Sequence, residues 1–226
     1  MLRSLVAHPP RSTKEMKALT SIIILIVIAQ LLRAEELQTF FPVAERGSAT
    51  EISRFEEQWY SKHLRLMKEP SLFSSRNDER KEVYRFTLLP TWGDPRCVAL
   101  EKDQATGIAY IRFSRLDGDG GYDPGKLVEQ EQRELDQKEF DEFASLFKAL
   151  DFEKQPTEDP VMGLDGSQWI LERLKGENYH IVVRWTADAY EPKKRGTEAF
   201  VELCNWMLNT APRTKKAEQG GAGQRR

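Results

Sequence analysis

The chain has few of the residues on which most catalytic and metal chemistry depends. Its 226 residues include two cysteines, Cys97 and Cys204, and three histidines, His8, His63 and His180. Three histidines so dispersed exclude a histidine-rich metal centre. No Cys-x-x-Cys, His-Glu-x-x-His, Gly-x-Ser-x-Gly or phosphate-loop pattern occurs. Nothing calls for a cofactor. Internal repeats are lacking, which excludes solenoids and propellers. An excess of positive charge is missing too: 34 Lys and Arg stand against 36 Asp and Glu, a net charge of −2. A nucleic-acid binder needs a clustered basic face, so this balance argues against a nucleic-acid partner.

One apolar run is present, and it comes first. Ala18 to Leu32 follows Lys14 and Lys17 and ends at Arg33-Ala34, a small residue where a signal peptidase can cut. A basic start, a short apolar heart and a small-residue exit mark a secretory signal over residues 1–34. Met16 offers an alternative start. A retained membrane anchor is the second reading, because Leu32 fits the −3 position poorly; contact with a membrane is expected only through this segment. The run holds about 15 residues and falls short of the roughly 20 that a span requires. Its removal takes five basic residues and one acidic residue with it, leaving a net charge of −6. The expectation is thus export to the periplasm or the extracellular space. In an exported chain Cys97 and Cys204 are free to pair; otherwise each is a small buried hydrophobe.

Residues 35–47 carry no period and read as a linker, 48–212 as a single domain, and 213–226 as a basic, disordered tail. Ser48 and Glu51 form a capping-box pattern ahead of a helix with Ile52, Phe55, Trp59 and Leu66 at helical spacing. His63 stands beside that stripe as an interface side chain. Strands are expected near 83–89, 97–101 and 108–113, and 126–135 is a charged candidate edge strand. Asp136 and Glu139 cap a second helix with Phe140, Phe143, Phe147 and Leu150 on one side. A hairpin over 163–185 and a helix from about Thr197 complete the order. Such segregation implies an α+β fold, an antiparallel sheet of about five to six strands with helices packed mainly on one face.

Asp117, Asp119 and Asp123 alternate in a Gly-rich loop but supply too few oxygens for calcium, so an Asx-type turn is the simpler reading and no metal is expected. The hairpin offers the candidate binding residues Asp165, Trp169, Glu172, His180 and Arg184. A two-residue loop at Gly176-Glu177 sets Glu172 opposite Ile181 on an apolar face. A three-residue loop flips the first strand and brings Glu172 beside His180 and Arg184. Three functional classes follow. One is a non-catalytic binding or interaction domain built on an aromatic-rich sheet. Another is a hydrolase using Glu172 or Asp165 with His180. A membrane-tethered accessory protein is a third.

The stretches Gln58-Trp59-Tyr60-Ser61-Lys62-His63-Leu64, Lys68-Glu69-Pro70-Ser71-Leu72, Gly120-Gly121-Tyr122-Asp123-Pro124-Gly125, Gly163 to Trp169 and Tyr179 to Trp185 resemble a group of exported bacterial proteins without an assigned activity. The likeness covers roughly residues 55 to 208. It implies export from a bacterial cell and assigns no catalytic residue.

Overall fold

A computed structural model of the chain describes residues 38–43, 51–76, 81–158 and 160–213. The signal expected over 1–34, the capping residue Ser48 and the tail beyond Arg213 lie outside them. The elements fall within one unit, Thr39–Arg226. They are α1 (Arg54–Leu66), β1 (Lys81–Pro90), β2 (Arg96–Asp103), β3 (Ala109–Leu116), β4 (Leu127–Leu135), α2 (Gln137–Leu150), β5 (Ser167–Lys175), β6 (Asn178–Trp185), a one-turn α3 (Pro192–Arg195) and α4 (Glu198–Thr210). Among the described residues no helix is long and apolar enough to cross a membrane.

The strands form a six-stranded antiparallel sheet in the order β4-β3-β2-β1-β5-β6, so the fold is α+β. The first four follow one another through short polar loops, which favours neighbour pairing. The α2 connection then carries the chain back to the free side of β1. β4 is an edge, and its Glu and Arg side chains blunt it against unwanted pairing. The edge of β6 is partly covered, because Val183 N–H donates to Thr157 O at 2.6 Å and Glu158 bridges to Val183.

Period-two alternation sorts the sheet into two faces. Tyr84, Phe86, Val98, Leu100, Ile111, Phe113, Leu171 and Val182 pack against Phe143 and Leu150 of α2 and against Phe200, Leu203 and Met207 of α4. The opposite face carries Leu89, Cys97, Ile170, Ile181 and Val183 and meets Tyr60, Leu64 and Met67. Two long helices therefore lie on one face and α1 on the other. Burying each large side chain contributes about 1.5–3 kcal/mol, which is what makes a two-sided core worth its polar cost.

The 35–47 linker and the start of α1 require correction. Phe40 and Phe41 are core residues, 3% and 0% exposed, with Phe41 edge-on to Tyr60 at 6.0 Å. A lone pair of aromatics has no period to betray it. Helix α1 begins at Arg54, where Ser53 and Glu56 form the capping box, and Ile52 bridges Val43 instead. The Asp136–Glu139 box at α2 is present as expected.

Candidate functional site

The hairpin takes the two-residue loop. Lys175 faces Asn178 and Glu172 faces Ile181, with Gly176 at φ +57, the positive φ that a type II′ turn needs first. This separates the residues expected to act together. Glu172 lies on the α1 face, fully buried, and both its oxygens accept from Arg85, Nε to Oε2 and Nη2 to Oε1 at 2.7 Å. Tyr179 Oη also donates to it at 2.9 Å. His180 and Arg184 lie on the α2/α4 face. His180 Nε2 is 3.0 Å from Gln155 O, and its ring meets Phe152 edge-on at 5.0 Å. Arg184 donates to Thr157 O, Val183 O and Gln155 Oε1. Trp169 is core, packed on Phe86 and Phe200, with its indole N–H on Ser167 Oγ. Asp165 is exposed at the loop preceding β5. The Glu172–His180 pairing thus fails, because a sheet stands between the two side chains.

Cys97 and Cys204 are free and buried, one in each core, so the disulfide is absent. Burial raises both thiols well above their ordinary range and leaves them unreactive. In the Gly-rich loop, Asp117 Oδ1 accepts from Lys126 N–H, Asp119 Oδ1 from Gly93 N–H and Asp123 Oδ1 from Gly125 N–H. The three carboxylates cap backbone. Among the described residues no group of His, Cys, Asp or Glu is gathered to hold a metal ion.

The concave surface lies elsewhere. Phe55, Gln58, Trp59 and Lys62 recur at i, i+3, i+4 and i+7 and so share one face of α1. With Thr91, Gly121, Tyr122 and Leu164 they line an open cleft of about 410 Å³. The stripe expected to enter the core is therefore divided. Phe55 and Leu66 are 71% and 42% exposed, whereas Tyr60, His63 and Leu64 are buried. Burial lowers His63 below its ordinary pKa, as suits an interface side chain held neutral.

Hydrogen bonds hold the walls together. Trp59 Nε1 donates to Gly120 O at 2.6 Å, and Lys62 Nζ donates to Tyr122 O at 3.1 Å. Thr91 N–H donates to Gly166 O at 2.7 Å, and Gly166 N–H returns to Thr91 Oγ1 at 3.0 Å. A Cβ on Gly120 would stand 2.5 Å from Pro90 O, so a glycine is needed where the two loops touch. Trp92 stacks on Tyr122 at 4.6 Å beside the cleft mouth.

A second, smaller cavity of about 110 Å³ lies across the 162–164 segment. Glu56, Glu158, Met162, Gly163, Gln168 and Trp185 are among its lining. Glu158 lines it beside Glu56, and partial burial together with the Glu56 charge raises its pKa to about 7. Tyr190 stacks on Trp185 at 5.5 Å and extends the aromatic surface further.

Six of the eight large apolar side chains most exposed among the described residues, Phe55, Trp92, Tyr122, Met162, Leu164 and Tyr190, belong to this one end of the sheet. The helical spacing of Phe55 and Trp59 was readable in the sequence, as part of a stripe with Ile52 and Leu66. The loops that complete the cleft come from segments up to about a hundred residues away, and no local pattern joins them. No protein-family model matches the chain, and no curated protein matches it.

Proposed function

We propose that this is an exported, non-catalytic binding domain whose site is the aromatic cleft between α1 and the loops at 91–93, 120–122 and 162–166. The observation that carries it is the gathering of exposed apolar side chains at one end of the molecule, around a preformed hollow. Isolated exposed hydrophobes are ordinary, but a contiguous patch marks an interaction surface. The cleft lies within the size range of binding sites. Its lining has one cation, Lys62, and no Asp, Glu, His or Cys to serve as acid, base or nucleophile. That composition favours binding over the hydrolytic alternative.

The occupant is an apolar segment of a partner polypeptide, with an aromatic or long aliphatic anchor beside a carboxylate. Lys62 supplies the complementary charge. The patch runs past the cleft to Trp92, Met162 and Tyr190, more than a small ligand covers, and aromatic-rich surfaces of this kind suit protein partners. Export rests on the signal pattern at residues 1–34, and cell fractionation tests it.

The cleft is tested with two acetylated, amidated peptides, Leu-Trp-Glu-Phe and Leu-Trp-Lys-Phe, titrated into isotope-labelled protein. The expected shifts fall on the Trp59 indole, Lys62 and Leu164, with the acidic peptide bound more tightly. Lys62→Glu reverses the order. Equal binding of both peptides, or shifts away from the cleft, overturns the proposal. Cosedimentation with phosphatidylcholine vesicles in place of peptide binding assigns the surface to a membrane and overturns it equally.

A further inference from the structure

Five non-glycine residues among those described have positive φ. Lys68 and Asp151 follow the last turns of α1 and α2, where a left-handed residue ordinarily closes a helix. The other three crowd into one short loop after β6: Thr186 at φ +43, Tyr190 at +58 and Glu191 at +57. Left-handed backbone suits glycine or asparagine and disfavours a bulky side chain. Such residues persist where their surroundings hold them, and they gather at ligand clamps.

This loop is held from both sides. Arg195 Nη1 donates to Thr186 O at 2.9 Å and Nη2 to Trp185 O at 2.7 Å. Thr186 N–H donates to Ser167 O at 2.7 Å, and Ser167 N–H returns to Thr186 Oγ1 at 3.1 Å. Thr197 Oγ1 donates to Ala187 O at 2.8 Å. What the frame presents is Tyr190, 65% exposed and stacked on Trp185 at 5.5 Å with 24° between the rings. Neither the backbone nor water favours an aromatic side chain there; what tyrosine supplies is the ring. Glu191 beside it is engaged by Lys194 through both oxygens at 2.7 Å, which favours an uncharged ring over a cation as the group recognised.

The ring is continuous with the cleft. Leu164 walls the cleft, and its neighbour Gly163 lies so close to Trp185 that an added Cβ would stand 2.0 Å from the indole. The path from Leu164 to Tyr190 therefore crosses one peptide unit and two ring contacts, roughly 10–15 Å, which four extended residues span.

We propose that Tyr190, seated on Trp185, is a second subsite for the same partner polypeptide and takes an aromatic side chain about four residues from the segment held in the cleft. This rests on the reading of the cleft as a binding site. The stack on Tyr190 adds specificity for a second ring, and the cleft supplies the effective concentration that makes a weak contact count.

The test adds Ser-Ser-Ser-Trp to the end, or Trp-Ser-Ser-Ser to the start, of the acetylated, amidated peptide Leu-Trp-Glu-Phe. Controls carry Ser in place of the added Trp. One of the two extended peptides is expected to bind about three-fold or more tightly than its control, within the range of an aromatic pair. It shifts the Trp185 indole and the Tyr190 ring in NMR spectra, which Leu-Trp-Glu-Phe leaves in place. Tyr190→Asn keeps a residue at ease with positive φ and removes the ring; it abolishes the gain without changing the affinity for Leu-Trp-Glu-Phe. Tyr190→Phe keeps the gain. If neither extended peptide outbinds its control while Leu-Trp-Glu-Phe still binds, the subsite fails and the cleft reading stands. A gain that survives in Tyr190→Asn, or a variant that weakens long and short peptides alike, also overturns the subsite. If Leu-Trp-Glu-Phe does not bind while a Trp-extended peptide shifts Trp185 and Tyr190, the cleft reading fails and the aromatic subsite stands.

Discussion

Glu172 is buried without being catalytic. Its two oxygens are taken by the Arg85 fork and by Tyr179, and the remaining Arg85 Nη1 donates to Pro70 O at 2.6 Å. Every charge-bearing atom of the pair has a partner. An ion pair of this kind contributes little against an apolar replacement, but removing one member strands the other. Glu172→Leu is expected to cost about 3–5 kcal/mol. Arg85→Met in the same chain restores most of that, leaving roughly 1–3 kcal/mol for the unpaired Tyr179 hydroxyl. Urea denaturation of both single variants and the double variant measures the difference. A double variant as unstable as the sum of the singles would falsify the pair as one unit. The sequence left two registers open, and the two-residue loop that sets Glu172 opposite Ile181 is the one adopted. The partner of Glu172 lies 87 residues away on β1, beyond the reach of any local spacing.

At the scale of elements, starts and edges were legible, while the hairpin register stayed open between two loops and depth was not legible. Asp136 starts α2 and the charges of β4 announce an edge, each a matter of a few adjacent residues, whereas Gly176 marks the β5–β6 turn without choosing between a two- and a three-residue loop. The face that α1 turns inward is set instead by what covers it. Phe40 and Phe41 pack from one side, and the Gly-rich loop receives the Trp59 indole from the other. The aromatics expected to make a binding sheet, among them Tyr84, Phe86, Phe113 and Trp169, are core, and the exposed ones come from loops and the outer face of α1. The meeting of the 91–93 and 117–125 loops is where the cleft is most easily spoiled. Gly120→Ala drives a Cβ into the backbone at Leu89 and Pro90. It is expected to destabilise the fold by about 1–3 kcal/mol, in the range of overpacking, and to weaken peptide binding through loss of the Trp59–Gly120 bond. Leu164→Ser is the control at the same cleft: its side chain is 99% exposed, so binding falls while the midpoint of thermal unfolding stays within a degree or two.

Across the whole molecule, two titrating groups act on stability with opposite sign. Burial lowers His63 from its ordinary value of 6.5, so the folded state binds fewer protons there than the unfolded state. The stability this represents is present above pH 6.5 and is lost as the pH falls. Glu158 is raised from 4.5 to about 7, so the folded state binds more protons there. Its contribution is full below pH 4.5 and is lost as the pH rises to about 7. By linkage the first steepens stability upward with pH and the second downward, and between pH 5 and 7 they offset one another. Glu82, held down by Tyr84 and Lys175 against the effect of burial, and Glu139, held down by Arg133, have pKa values below 4.5 and act only in stronger acid. Glu158→Gln removes one arm of the balance. On going from pH 7 to pH 5 the variant is expected to lose more stability than the wild type loses, by urea midpoint at constant denaturant slope. His63→Leu removes the other arm, and that variant should gain stability over the same range. Parallel curves for the wild type and Glu158→Gln would show that the carboxyl pair holds no proton in the folded state.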